Sequence, residues 1–297
     1  MNIPFLKHRK IYFVFSGILI LGSLACLGIF GLKPGIDFTG GSILEMEYKG
    51  ERPTVEVVRK ALYDAVGPVF VQPTGSNGFL IRMGEIDEET HQQILGILSE
   101  GYQTEELRFE SIGPVIGREL REKTTIVTIL SLLAIVLYIA FSFRRIQRPI
   151  SSWQYGLASL LALFHDSLIP IGIFAILGEF YGVQITIPVV VALLMVLGYS
   201  INNTVVVFDR IRENLLKRVG ITFEETVEMS LNQTLARSIN TSLTTLFVLI
   251  AIFFLGGETL KYFALILILG IIAGTYSSLF LVSPILVSWL RWRKKTA

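Results

Sequence analysis

Six apolar stretches dominate this chain, at about residues 11–31, 124–143, 156–177, 185–208, 238–255 and 262–290. At 1.5 Å of rise per helical residue, each is long enough to cross about 30 Å of hydrocarbon. Backbone in hydrocarbon finds no water to bond, so such stretches fold as helices. Composition agrees: 17% of residues are charged, where a soluble domain carries about 25%. The net charge of +2 gives no broad basic field, so no nucleic-acid partner is expected. Cys26, the single cysteine, cannot form an internal disulfide.

The basic residues orient the spans by the positive-inside rule. Lys7, Arg9 and Lys10 precede the first span, and Arg144, Arg145 and Arg148 follow the second. Arg210, Arg212, Lys217 and Arg218 follow the fourth, and Arg291, Arg293, Lys294 and Lys295 follow the sixth. With six spans all four clusters fall on one side, which places both termini in the cytoplasm. Trp153, Trp289 and Trp292 fit the interfacial belt on that side. The start of the chain imitates a secretory signal, and Ser23–Cys26 faintly resembles a lipoprotein cleavage site. The apolar run is too long for a signal core and continues past Cys26, so an uncleaved first span is expected.

Residues 32–122 are too charged for membrane and too patterned for a linker. Ile43–Tyr48 alternates as a strand. Pro53 and Thr54 open a helix with apolar residues at Val55, Val58, Leu62 and Ala65, closed by Gly67. Pro68–Pro73 and Phe79–Met83 read as strands, and Asp87 caps a second helix with Ile94, Ile97 and Leu98 inward. Leu107–Ile112 reads as the last strand. The order is β-α-β-β-α-β, a ferredoxin-like domain. His91 stands alone and is expected to be a solvated helix residue. The fold class expected is therefore a polytopic α-helical membrane protein. It has six transmembrane helices and one external ferredoxin-like α+β domain between helices 1 and 2. The expected divisions are 1–34 (N-terminus and first span), 35–122 (external domain) and 123–297 (five-helix bundle).

The link into the external domain is Gly35-Ile36-Asp37-Phe38-Thr39-Gly40-Gly41. Its glycines suit backbone that bends tightly or lies against another segment. It lacks a phosphate-loop lysine, so no nucleotide site is expected. Between spans four and five a loop helix is expected within about 209–235. Thr222 with Glu225 forms a capping-box pattern, and the amphipathic helix it starts is expected on the membrane surface or against a partner. In the sixth span Gly270, Gly274 and Ser278 make a small-residue face, and Pro284 is a candidate kink.

Polar groups inside the spans are expensive and mark candidate sites. His165-Asp166 sits near the middle of the third span. Asn202-Asn203 lies in the inner part of the fourth, roughly 10 Å in from the charges that follow. Arg237 begins the fifth, followed at helical spacing by Asn240, Thr241, Thr244 and Thr245. The fourth span descends and the fifth ascends, so the two polar stretches can meet. Ordinary roles compete: an inter-helix hydrogen bond for Asp166, a positive-inside flank for Arg237, and an interfacial ion pair for Asp209. An intramembrane enzyme built on His165 and Asp166 is disfavoured, with no His-Glu-x-x-His and no serine–lysine arrangement.

Gly35–Gly41 (GIDFTGG), Phe164-His165-Asp166, Gly198–Glu213 (GYSINNTVVVFDRIRE) and Leu235–Thr245 (LARSINTSLTT) together resemble the SecD/SecF family of bacterial protein translocase subunits, on the SecF side. The resemblance covers essentially the whole chain and implies the resistance-nodulation-division superfamily, with no enzymatic activity and no cofactor. It implies SecD and the SecY channel complex as partners, YajC as a possible one, and an exported unfolded polypeptide as the cargo. It implies the bacterial inner membrane and use of the proton-motive force. The family's proton site is a carboxylate in the fourth span with an arginine in the fifth, which map to Asn203 and Arg237. Asp166 joins them as a relay residue, with Asn202, Asn240, Thr241 and His165 as polar support. Gly35, Asp37, Gly40 and Gly41 form the external linker.

Position 203 departs from the family, which reads Asn-Asp where this chain reads Asn202-Asn203. Asparagine keeps the size and hydrogen bonding of aspartate but does not titrate. Three explanations stand: a deliberate substitution, a natural variant whose proton path uses Asp166 and the SecD half, or a family member with a different coupling. Beside the proton-driven export subunit stand two alternatives, a non-transporting brace of SecD and the channel, and a half-transporter for a small molecule.

Overall fold

The computed structural model describes residues 3–142 and 150–296. Arg144, Arg145 and Arg148 of the basic cluster after the second span lie outside the described residues, as do the side chains of Lys294 and Lys295. The chain runs α1 (Arg9–Phe30), α2 (Ile36–Thr39), β1 (Gly41–Tyr48), α3 (Val55–Val66), β2 (Phe70–Thr74), β3 (Gly78–Met83), α4 (Glu88–Ser99) and β4 (Thr104–Ile112). The long helices follow: α5 (Pro114–Ser142), α6 (Ser152–Tyr181), α7 (Ile187–Leu216), α8 (Phe223–Leu255), α9 (Gly257–Ser277) and α10 (Ser283–Thr296). Two compact units result. One holds α1, α5 from Thr128 onward, and α6 to α10; the other holds Lys33–Val127 with Gly182–Thr186.

Six helical segments of the described residues are long and apolar enough to cross a membrane. In the helical unit α1, α5 and α8 bury little of their apolar surface within the chain, and α6 and the α9–α10 segment bury most. The core gathers Tyr155, Ala158 and Ala162 of α6, Ile201, Val207 and Phe208 of α7, and Val282 and Leu286 of the last segment. Small residues set the helix spacing. A Cβ on Gly172 of α6 would lie 2.6 Å from Ser23 Cα of α1, and one on Gly270 of α9 would strike the Val196 side chain. Gly274 faces Ser200 in the same way. The small face anticipated at Gly270, Gly274 and Ser278 is thus the face that seats α9 on α7. Pro284 lacks an N–H and crowds the carbonyl one turn back. The chain accommodates it with a π-turn over Ser278–Val282.

α8 runs unbroken from Phe223 to Leu255. The amphipathic helix expected after Thr222 and the fifth span are one helix, opened by the capping box of Thr222 and Glu225. Its first turns pack beside the end of α7, where Asn214 Nδ2 donates to Ser230 Oγ at 2.8 Å and to Gln233 Oε1 at 2.8 Å. The same arm holds the N-terminus: Glu228 accepts the backbone N–H of Phe5 at 2.6 Å and of Leu6 at 3.0 Å. Asp209 pairs with Arg212 at 3.8 Å on the exposed side of α7.

The second unit is a four-stranded antiparallel sheet in the order β2-β3-β1-β4, the ferredoxin-like arrangement. α3 and α4, capped by Thr54 and Asp87, cover one face over Leu44, Met46, Tyr48, Phe79 and Ile81. Ile36, Ile43 and Leu80 form a smaller cluster. Of the apolar residues of α3, Val58 and Leu62 are buried and Ala65 is exposed. One expectation needs correction. His91 is not solvated: it is 4% exposed. Its ring stacks on Phe109 at 3.7 Å, with Nε2 3.3 Å from Glu106 and Nδ1 3.4 Å from Glu88. His91, Ile94 and Leu98 share the inward face of α4.

Candidate functional site

Asp166 on α6 is a carboxyl of the helical unit with no solvent exposure. Its Oδ1 lies 2.7 Å from Nδ1 of the equally buried His165. Its Oδ2 accepts Ser200 Oγ of α7 at 2.5 Å and Ser277 Oγ of α9 at 2.7 Å. One carboxyl group therefore joins three helices. Gly274 leaves the room: a Cβ there would sit 3.3 Å from Ser200 and 3.4 Å from Asp166 Oδ2.

Proton counting limits what this cluster can be. The short Nδ1–Oδ1 contact needs one hydrogen between the two atoms. With it on Nδ1, an ionised Asp166 accepts three hydrogen bonds, and the Nε2 lone pair of His165 faces the interior. Nε2 has no hydrogen-bond partner among the described residues. Tyr276 of α9 lies against His165 with ring centroids 6.0 Å apart. Its hydroxyl accepts from Ser16 at 3.3 Å and donates to the Tyr12 carbonyl at 3.1 Å, both on α1.

Asn203 on α7 is 3% exposed, and its Nδ2 has no partner among the described residues. Thr204 Oγ1 and Ser238 Oγ are likewise buried and unpaired there. Beside them Ser242 Oγ bonds Thr275 Oγ1 at 2.6 Å, linking α8 to α9. Asn202, Arg237, Asn240 and Thr241 are exposed within this chain. No hydrogen bond or ion pair among the described residues joins Asn203 to Arg237. The fold therefore brings His165 and Asp166 together inside the bundle and leaves the Arg237 stretch on the outer side of α8. Ser200, Ser277 and Tyr276 were not singled out as site residues by the sequence, whereas Gly274 was read only as part of a packing face. The small-residue spacing of the sixth span was the signal that pointed to their neighbourhood.

The linker residues belong to the other unit. Gly40 and Gly41 hold φ of 75° and 125°, where a side chain is strained. A Cβ on Gly41 would lie 2.7 Å from the Met83 carbonyl, and one on Gly40 2.9 Å from Pro114 Cα. Asp37 falls in the first turn of α2. Among the described residues no group of three or more His, Cys, Asp or Glu could hold a metal.

Residues 95–292 match the family described as protein export membrane protein SecD/SecF, C-terminal, and residues 27–51 match the SecD/SecF GG motif. The chain belongs to the SecD/SecF family. Protein translocase subunit SecF of Thermobaculum terrenum is 43% identical over 97% of this chain and 94% of its own length. SecF of Anaerolinea thermophila is 37% identical over 98% and 97%. The crystal structure of SecDF, a translocon-associated membrane protein from Thermus thermophilus, superposes with a TM-score of 0.85 at 33% identity. It covers 97% of this chain, which spans 39% of that longer SecDF chain. SecDF in its super-membrane-facing form superposes with a TM-score of 0.70. The SecD/SecF assignment accounts for six membrane helices carrying one extramembrane α+β domain. The relatives are named as protein translocase subunits.

Proposed function

We propose that this chain is the SecF-type half of a Sec export machine and that Asp166, supported by His165, is its own proton-relay residue. It works with a SecD-type partner and a SecY-type channel in the bacterial inner membrane. Residues 35–122 act on the outer face upon unfolded polypeptide emerging from the channel. Residues 1–34 and 123–297 form the membrane part, with both termini in the cytoplasm. The basic clusters support that orientation, and the printed names of the relatives support the export role.

The observation that carries the coupling is the fully buried Asp166, held by Ser200 and Ser277 and backed by His165. Asn203 keeps the shape of the family's carboxylate position but cannot exchange a proton. Arg237, with Asn240 and Thr241, presents a polar face that a partner's membrane helix would cover, since such groups are costly against lipid. Proton-gradient-dependent export of a stalled precursor, in vesicles holding the partner and channel, tests the reading. Asp166→Asn should abolish the gradient-dependent part, and Asn203→Asp should raise it. No loss from the first and no gain from the second would overturn the proton role.

The silent residue at 203 favours a second reading, a brace that holds the partner and channel without moving protons. Deleting residues 42–112 separates the two: a membrane brace keeps its activity, and an export motor loses it.

A further inference from the structure

The five residues that join α6 to α7 belong to the α+β unit. Gly35 N–H donates to the Ile185 carbonyl at 2.8 Å, and Ile185 N–H donates to the Lys33 carbonyl at 2.8 Å. Pro34 and Ile185 form a parallel bridge. Gly35 lies close against this segment: a Cβ there would sit 3.0 Å from both the Ile185 carbonyl oxygen and Thr186 Cγ2. A second fastening lies beside it. Gly182, at φ 66°, leaves space for the Phe70 ring of β2, which a Cβ would approach to 2.7 Å. Val183 is buried. The linker is anchored in turn by Gly40 and Gly117, where a Cβ on Gly117 would lie 2.8 Å from Gly40 N.

α6 and α7 thus meet two constraints. The Asp166–Ser200 hydrogen bond ties them in the membrane. The segment 182–186 ties them about 20 Å further along, by the helical rise from Asp166 to Tyr181 and from Ser200 to Ile187. We infer that residues 182–186 are a strap by which the α6–α7 pair positions the root of the α+β domain, through backbone hydrogen bonds to Lys33 and Gly35. The strap rests on the proton-coupled reading of Asp166: a change at that carboxyl alters the α6–α7 pair, and the paired backbone carries the change to the linker. Gly35 and Ile185 are positioning residues of the export cycle. Backbone pairing suits this role because it holds register whatever the side chains are.

The test uses the full chain with its partner and channel in vesicles. Inserting Gly-Ser-Gly after Val183 slackens the strap. Expected is loss of gradient-dependent export, with expression and partner capture unchanged. Pro34→Cys with Ile185→Cys is then added to the slackened chain. The two positions face each other across a strand spacing of about 4.8 Å, within disulfide range. Oxidation should restore export and reduction should remove it again. An insertion that leaves export intact overturns the strap, and so does a loss that the disulfide does not restore. The unmodified chain separates the two claims, because its failure to support gradient-dependent export strikes the proposed function instead. Amide exchange gives a readout independent of export. Asp166→Asn should shift protection at Gly35 and Ile185 in the unmodified chain and not in the slackened one, and unchanged protection at both amides overturns the strap.

Discussion

Asp166 and Ser277, 111 residues apart in sequence, are joined by a hydrogen bond of 2.7 Å between α6 and α9. Ser200 completes the arrangement from α7. A carboxyl that contacts two hydroxyls and an imidazole in a dry interior is a structural knot. Removing it leaves three donors facing no acceptor. Asp166→Ala is expected to cost about 3–5 kcal/mol, and Asp166→Asn, which keeps one accepting oxygen, about 1–3 kcal/mol. Unfolding of the purified chain in detergent measures both. An unchanged midpoint for Asp166→Ala would remove the knot from the account.

Helix spacing sets the second prediction. Gly270→Ala places a methyl on the branched Val196 side chain. Overpacking of this kind costs about 1–3 kcal/mol. Gly198→Ala, with nothing within 4 Å, should instead stabilise α7 by about 0.5–1 kcal/mol through helix preference. The two alanines have opposite signs in one unfolding assay, and equal effects would contradict the packing described.

Glu228 receives the N-terminal segment by accepting from Phe5 and Leu6. Each is a charge-assisted bond to a backbone donor. Glu228→Ala should cost about 2 kcal/mol and expose the segment before α1 to limited proteolysis. Equal cleavage rates in the two proteins would argue that α8 does not hold it.

Tyr48 is buried in the α+β unit, with no hydrogen-bond partner for its hydroxyl among the described residues. Burial, then the neighbouring Tyr102, pushes its pKa from the ordinary 10.0 to about 12. The folded value is raised, so its contribution to stability is complete below pH 10.0 and is lost as pH climbs through about 12. Tyr48→Phe should be neutral or stabilising by about 1 kcal/mol and should flatten this alkaline loss. A clear destabilisation would reveal a partner for the hydroxyl.

At the acid end, Asp87 and Glu88 open α4. The Thr90 hydrogen bonds hold the Asp87 carboxyl below its usual range, and bonds from Gln92 and then His91 do the same for Glu88. Depressed folded values contribute stability that is present above the ordinary carboxylate range. It is lost as pH falls through the folded values. The protection factor of the Thr90 amide should therefore fall on acidification, and Asp87→Asn should blunt that dependence. A protection factor that stays flat through the carboxylate range would count against the cap.

The β-α-β-β-α-β order of elements, the two helix caps and the six spans were legible because each follows from a local period or a local cap. Thr54 and Asp87 are examples: their side chains reach only three residues ahead. His91 was misjudged because an isolated histidine among acids suggests solvent, while the spacing of His91, Ile94 and Leu98 already marked one face. The continuity of α8 was missed because a change from amphipathic to apolar composition looked like a boundary, although no Gly or Pro interrupts 223–255.

Asn203 marks where reading along the chain stops. Its departure from the family pattern is visible in the letters alone, as are the membrane class, the domain type and the intramembrane carboxyl at Asp166. Those depend on composition and on neighbours within a turn or two. Which groups Asp166 touches, that Arg237 turns outward while Asn203 is buried, and that Gly35 lies on Ile185 depend on how helices far apart in sequence rotate about their axes. Rotation is set by small residues such as Gly172, Gly270 and Gly274 fitting against Ser23, Val196 and Ser200. That fit exists only once the helices are packed.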